Sequence, residues 1–187
     1  MIDTIFNYFS NSTAITFIVF AVLSTYLILV FWIFIYRFQA VTSMISNEKK
    51  SLEMLTSRDS SLSPFSALTK CTNNITNSKP ILHACEISII RDASKGISWL
   101  SIISSTSPFI GLFGTVVGIL ESFALLSSQA KVAFSVIAPA ISEALVATAA
   151  GIFVAVFAYT FHQIMVRKVY ELNIYLKAQC DILVAKG

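Results

Sequence analysis

Residues 136–162 read VIAPAISEALVATAAGIFVAVFAYTFH, a run whose only Asp, Glu, Lys or Arg is Glu143. A helix rises about 1.5 Å per residue, so about 20 residues cross the roughly 30 Å hydrocarbon core of a bilayer. This run is long enough to do so, and in lipid its backbone groups have to satisfy one another as a helix. Outward from it lie two more runs of the same kind, residues 99–126 (WLSIISSTSPFIGLFGTVVGILESFALL) and 15–36 (ITFIVFAVLSTYLILVFWIFIY). The predicted fold class is therefore an all-α membrane protein with three transmembrane helices.

Composition supports that class. Of 187 residues, 56% are hydrophobic and 12% charged, and the mean hydropathy is +0.76, more apolar surface than one soluble domain of this length can bury. The net charge of +3 is small and its Lys and Arg residues are scattered, so nucleic acid is not an expected partner. Cys71, Cys85 and Cys180 are odd in number and irregular in spacing, and all three read as reduced thiols. Cys71, His83 and Cys85 lack the CxxC knuckles of a structural zinc site, so no metal is expected. The G-x-G-x-x-G, Walker, HExxH and G-x-S-x-G signatures do not occur, which leaves no cofactor and no enzymatic activity to expect. The residues before the first run contain Asp3 and no Lys or Arg, the wrong polarity for a cleaved signal, so that run is expected to remain as an anchor.

Charge then sets direction. Between the first two runs lie Arg37, Lys49, Lys50, Arg58, Lys70, Lys79, Arg91 and Lys95, whereas the second connection carries Lys131 alone. After the third run come Arg167, Lys168, Lys177 and Lys186. By the positive-inside bias the long connection and the tail are cytoplasmic, giving an N-out, C-in chain. Trp32, Tyr36 and Trp99 fall where headgroup-level aromatics belong at the cytoplasmic interface. The expected layout is a short periplasmic N-terminus (1–14), transmembrane helix 1 (15–36), a cytoplasmic helical loop (37–98), helix 2 (99–126), a short periplasmic loop (127–135), helix 3 (136–162) and a cytoplasmic helical tail (163–187). Within the loop the first helix is expected to continue through Leu52 and Leu55, with breaks at 57–66 and 72–80. A helix is expected to run from Ile81 through Trp99 into the second span. In the tail Val166, Val169, Tyr170, Ile174, Cys180, Leu183 and Val184 form an apolar stripe of helical period.

An ionised acid at mid-membrane depth costs on the order of 2.5–3.5 kcal/mol on insertion scales, so Glu143 reads as functional, suited to carrying protons between two aqueous compartments. Around it the spans are rich in small residues that let helices approach closely: Gly111, Gly114 and Gly118 in the second, Ala140, Ala144 and Gly151 in the third. Thr115 and Thr148 are candidates to line a polar passage, although Glu143 and Thr148 lie about 140° apart on an ideal helix. Pro108 and Pro139 are expected to kink their helices. Glu121 and His162, near opposite span ends, read as interface residues.

The stretch Ser107-Pro108-Phe109-Ile110-Gly111-Leu112-Phe113-Gly114-Thr115-Val116-Val117-Gly118 resembles the second-span signature of the TolQ/ExbB family. Residues 137–151, IAPAISEALVATAAG, resemble the family's Ala-Pro-Gly-Ile-Ala-Glu-Ala-Leu-x-Ala-Thr-x-x-Gly stretch, with Ala140 for a Gly and Ser142 for an Ala. The resemblance covers about 101–161. It implies a homopentamer whose second and third spans surround a pore that holds the single, Asp-bearing helices of TolR or ExbD. It also implies proton flow coupled to rotation and passed to TolA or TonB. By motif position Glu143, Thr115 and Thr148 inherit pore-lining roles in the proton pathway. The Ser107-Pro108-aromatic opening leans towards TolQ, whose task with TolR and TolA is outer-membrane integrity and envelope constriction; the ExbB alternative energises nutrient import with ExbD and TonB. Outside the family, the rival readings are a structural scaffold or passive channel in which Glu143 only braces helices, and a membrane serine enzyme built on Ser104, Ser105 or Ser107 with His162, for which no motif speaks.

Overall fold

The computed structural model describes residues 14–57, 66–72, 79–128 and 134–186. These form helices α1 (Ala14–Thr56), α2 (Ala67–Thr72), α3 (Lys79–Ser94), α4 (Ile97–Ser128) and α5 (Phe134–Lys186), with no strand among the described residues. Three of them, α1, α4 and α5, are long and apolar enough to cross a membrane. Both α4 and α5 run helical through their prolines, Pro108 and Pro139. The chain divides into two compact units, one of residues 1–32 and 99–160, the other of residues 33–98 and 161–187.

In the first unit, α1 buries Thr16, Val19, Leu23 and Val30 at helical spacing, while Phe17, Ile18 and Ile28 are exposed. The helix is apolar on both its packed and its open face, as a helix in lipid is. Phe31 and Phe157 bring α1 and α5 together, ring centroids 5.7 Å apart.

In the second unit Phe34 of α1 stacks on Phe161 of α5 at 4.0 Å. Helix α3 buries Leu82, Cys85, Ile89 and Ala93. The tail buries Met165, Val169, Leu172, Leu176, Cys180 and Leu183, a four–three spacing that keeps one seam turned to its neighbours. Of the apolar stripe expected from periodicity, Val169, Cys180 and Leu183 are buried, whereas Val166, Tyr170, Ile174 and Val184 are exposed. The apolar arc of the tail is broader than the face it packs, and periodicity alone does not say which edge of the arc is covered.

The helix expected to run unbroken from Ile81 through Trp99 is two helices. Gly96 adopts φ +84°, a left-handed conformation that costs glycine no Cβ clash. Arg37 Nη2 donates to the Asp92 and Ala93 carbonyls, satisfying α3 carbonyls that have lost their helical donors. A second correction concerns Cys85, which is disulfide-bonded rather than a reduced thiol. It lies on the buried face of α3, the helix against which α2 packs, a tertiary neighbourhood that irregular spacing does not announce. Cys180 is free and buried. Burial pushes its thiol up to about 11, with Glu86, Asp181 and Glu48 adding to the shift. Alkylation of Cys180 at pH 8 is expected to run on the order of 100-fold slower than that of an ordinary thiol, because the thiolate is the reacting species; timed iodoacetamide labelling followed by peptide mass spectrometry measures it.

A polar knot holds this unit. Glu48 of α1 is 1% exposed. Its carboxylate accepts from Ser66 Oγ at 2.8 Å, the Ala67 amide at 2.6 Å and Gln179 Nε2 at 3.0 Å. The second Gln179 Nε2 hydrogen goes to the Glu48 carbonyl at 2.9 Å, and Gln179 Oε1 accepts from Ser51 Oγ at 3.2 Å. Ser66 in turn caps α2, accepting from the Leu68 amide at 3.2 Å. With three donors aimed at one carboxylate, Glu48→Ala orphans all three at once. Its expected cost is on the order of 3 kcal/mol, seen as a fall of roughly 5–10 °C in thermal midpoint in detergent.

Candidate functional site

Helices α4 and α5 run antiparallel in the first unit, with backbones in direct contact. A Cβ on Gly151 would sit 2.6 Å from the Ser107 carbonyl oxygen and 3.0 Å from Gly111 Cα; one on Gly111 would sit 2.8 Å from the Ala147 oxygen and 3.0 Å from Thr148 Cα. Only glycine permits that approach. Further along, Gly118 faces Ala144 Cβ at 3.1 Å, and Gly114 faces Val19 Cγ1 of α1 at 3.1 Å and Ala147 Cβ at 3.3 Å. The structure thus brings together Gly111, Gly114, Gly118, Ala144 and Gly151; Ala140 is helical, and its side chain lies outside the described residues. Ala147, one of the small residues of the third span, and Val19, which the sequence reading did not include, complete the seam. Ala147 follows Ala144 by three residues, the spacing that marks one helix face; Val19 carries no such signal.

Because the backbones touch, hydroxyls reach across. Thr115 Oγ1 meets Thr148 Oγ1 directly and lies 3.1 Å from the Ala144 carbonyl, while Thr148 Oγ1 donates to the Gly111 carbonyl at 3.1 Å. Thr115 is 9% exposed. The pair can pass a hydrogen bond from one helix to the other, and its carbonyl partners fix both rotamers. Thr115→Val keeps the shape but removes the link; an expected loss of about 1–2 kcal/mol is measured as a lowered thermal midpoint, with Thr115→Ser retaining most of it.

Glu143 is half-buried on α5. It lies one turn from Ala147, on the flank of the seam nearer Gly114 and α1, and about 140° around the helix from Thr148. The two threonines therefore form one cluster and Glu143 belongs to another flank. Of the remaining sequence candidates, Ser107 is fully buried and donates to the Ile103 carbonyl at 2.6 Å, and His162 is half-buried in the second unit. Glu121, read as an interface residue, is half-buried, and its Oε2 is enclosed with no hydrogen-bond partner among the described residues.

Three helices long and apolar enough to cross a membrane, two of them in backbone contact through glycines, define an all-helical protein of the membrane-spanning class. Residues 61–177 match the MotA/TolQ/ExbB proton channel family, and the chain belongs to that family. Over its whole length, and the whole length of the relative, it is 41% identical to the biopolymer transport protein ExbB-like 1 of Helicobacter pylori, and 40% identical to that of a second strain of the species. It is 40% identical over 79 residues to the Tol-Pal system protein TolQ of Pseudomonas aeruginosa, covering 41% of this chain and 34% of the relative. It is 42% identical over 79 residues to the biopolymer transport protein ExbB of Pseudomonas putida, covering 42% and 24%.

Proposed function

We propose that this chain is the multi-pass channel subunit of a proton-driven motor of the TolQ/ExbB type, in the inner membrane, oriented N-out and C-in. The observation that carries the reading is Glu143, a carboxylate within a span, flanking a glycine seam that holds α4 and α5 in backbone contact. A rigid helix pair keeps a protonatable group at fixed depth, which is what directed proton passage requires. The exposed apolar side chains of the same helices, among them Phe109, Phe113, Leu145 and Phe153, suit contact with lipid and with further copies in a homopentamer. In this reading the pore holds single-span, Asp-bearing helices of a TolR- or ExbD-like partner, and work passes to TolA or TonB.

Two branches remain, each with its own support. Likeness over the full length to proteins named ExbB-like favours the ExbB branch. The Ser107-Pro108-Phe109 opening favours TolQ. The deciding experiment is purification of the tagged chain in mild detergent from its own membrane, followed by mass spectrometry of the proteins recovered with it. A small single-span protein with an intramembrane Asp is the expected companion, with TolA or TonB naming the branch. Recovery of this chain alone in several detergents overturns the motor and leaves a scaffold or passive channel.

A further inference from the structure

We propose that the end of α3 and the neighbouring stretch of α1 form a binding site for the headgroup of an anionic phospholipid, built on Arg37, Arg91 and Lys95. The inference needs only that the apolar helices cross a bilayer, and it stands apart from what the channel carries. Placement along the chain is the first observation. The apolar run 15–36 ends on Tyr36, and Arg37 follows it directly. Tyr36 is exposed, as suits a ring seated among lipid headgroups. On α3, Arg91 and Lys95 come just ahead of Ile97, where the next apolar helix begins. The three cations therefore stand where two apolar segments end, and all of them belong to the second unit.

Contacts gather these cations from two elements far apart in sequence. Arg37 Nη2 donates to the Asp92 and Ala93 carbonyls, and its stem lies beside Gly96, where an added Cβ would be 3.8 Å from Arg37 Cγ. Lys95 Nζ stands 2.6 Å from Asp92 Oδ1. Its hydrogen bond and charge hold the Asp92 carboxyl below the usual carboxylate range, and the charges of Arg91 and Arg37 act in the same direction. Three cations thus surround one carboxylate and leave a positive excess, because the carbonyls that anchor Arg37 are neutral and cancel none of its charge. Arg91, Asp92 and Lys95 are exposed, so a ligand reaches that charge without parting any helices. At this level a membrane presents phosphodiesters, and a guanidinium matches their oxygens with parallel N–H donors. Basic clusters at the edge of a span recognise anionic headgroups in this way. Lys49 and Lys50 are exposed as well, but they lie about 18 Å or more beyond Arg37 along α1.

Native mass spectrometry of the full chain, released from micelles that carry equal amounts of phosphatidylglycerol and phosphatidylcholine, reads the site directly. Phosphatidylglycerol is expected to be retained in clear preference to phosphatidylcholine. A cation near an anionic headgroup strengthens binding about fivefold. The double variant Arg91→Gln, Lys95→Gln is therefore expected to lower retention of phosphatidylglycerol on the order of 25-fold, and Asp92→Asn to raise it about fivefold. Lys49→Gln with Lys50→Gln removes the same charge elsewhere and is expected to leave retention unchanged. Every substituted side chain is exposed, and Arg37, which anchors α3, stays in place; a gain from Asp92→Asn is also something a misfolded chain does not produce. Equal retention of the two lipids, or equal losses from the two double variants, overturns the site and leaves the channel reading standing.

Discussion

Glu143→Gln is expected to abolish proton-driven work, with flux down on the order of 100-fold or more, while the chain still inserts and assembles. Glutamine matches glutamate in volume and keeps a polar tip at the half-buried position, so packing of α5 beside Ala147 is preserved. What it loses is the ability to bind and release a proton. A positioned acid–base group contributes about 10²–10⁴-fold in rate where proton transfer is the step. The variant belongs in vesicles together with its partner subunit, with proton uptake followed under an imposed gradient and assembly checked by size-exclusion chromatography. Wild-type flux from a normally assembled variant would reduce Glu143 to a helix brace and return the scaffold reading.

The largest structural effect is expected from Gly151→Val. Any Cβ at that position meets two backbone groups, the Ser107 oxygen at 2.6 Å and Gly111 Cα at 3.0 Å, and backbone cannot rotate aside as a side chain can. The helices have to part. That separation strips the Thr115–Thr148 contact and the Thr148 bond to the Gly111 carbonyl along with the packing. Overpacking alone costs about 1–3 kcal/mol, and the lost hydrogen bonds add about 1 kcal/mol each, enough to prevent stable assembly. Gly118→Ala is the matched control: its Cβ comes close to the Ala144 methyl, at 3.1 Å, with Ala144 Cα at an ordinary 3.9 Å, and an expected cost of under about 1 kcal/mol follows from the small adjustment needed. Thermal melting and limited proteolysis of the two variants in detergent compare them directly. Equal stability would show that the seam is not held by backbone contact at Gly151.

Candidates are legible in the sequence where the physics is local. Gly111, Gly114, Gly118, Ala144 and Gly151 could be picked out because small residues at three- and four-residue spacing leave a helix face flat. What could not be read was which flank of each helix a third element covers. That choice puts Val19 against Gly114, and so decides that the flank carrying Glu143 is the one nearer α1, whereas its separation from Thr148 follows from helix geometry alone. The same limit explains Glu121: a carboxylate near a span end looks free to reach water until neighbouring atoms enclose one of its oxygens.

By itself the sequence determined that the chain is helical and has three segments able to cross a membrane, because length and apolarity are enough when lipid leaves a backbone no other partner than itself. Its motifs also identified the family. Only tertiary structure decided the rest of the internal design. The break at Gly96 depends on Arg37, whose guanidinium arrives from α1 to hold carbonyls 55 and 56 residues away in the chain. The Glu48 knot unites residues separated by up to 131 positions, and no periodicity marks a glutamate whose donors come from a serine, an amide and a glutamine on other elements. Contacts of that separation form only once the helices have packed, and there the fate of each polar group is settled by its neighbours rather than by its own segment.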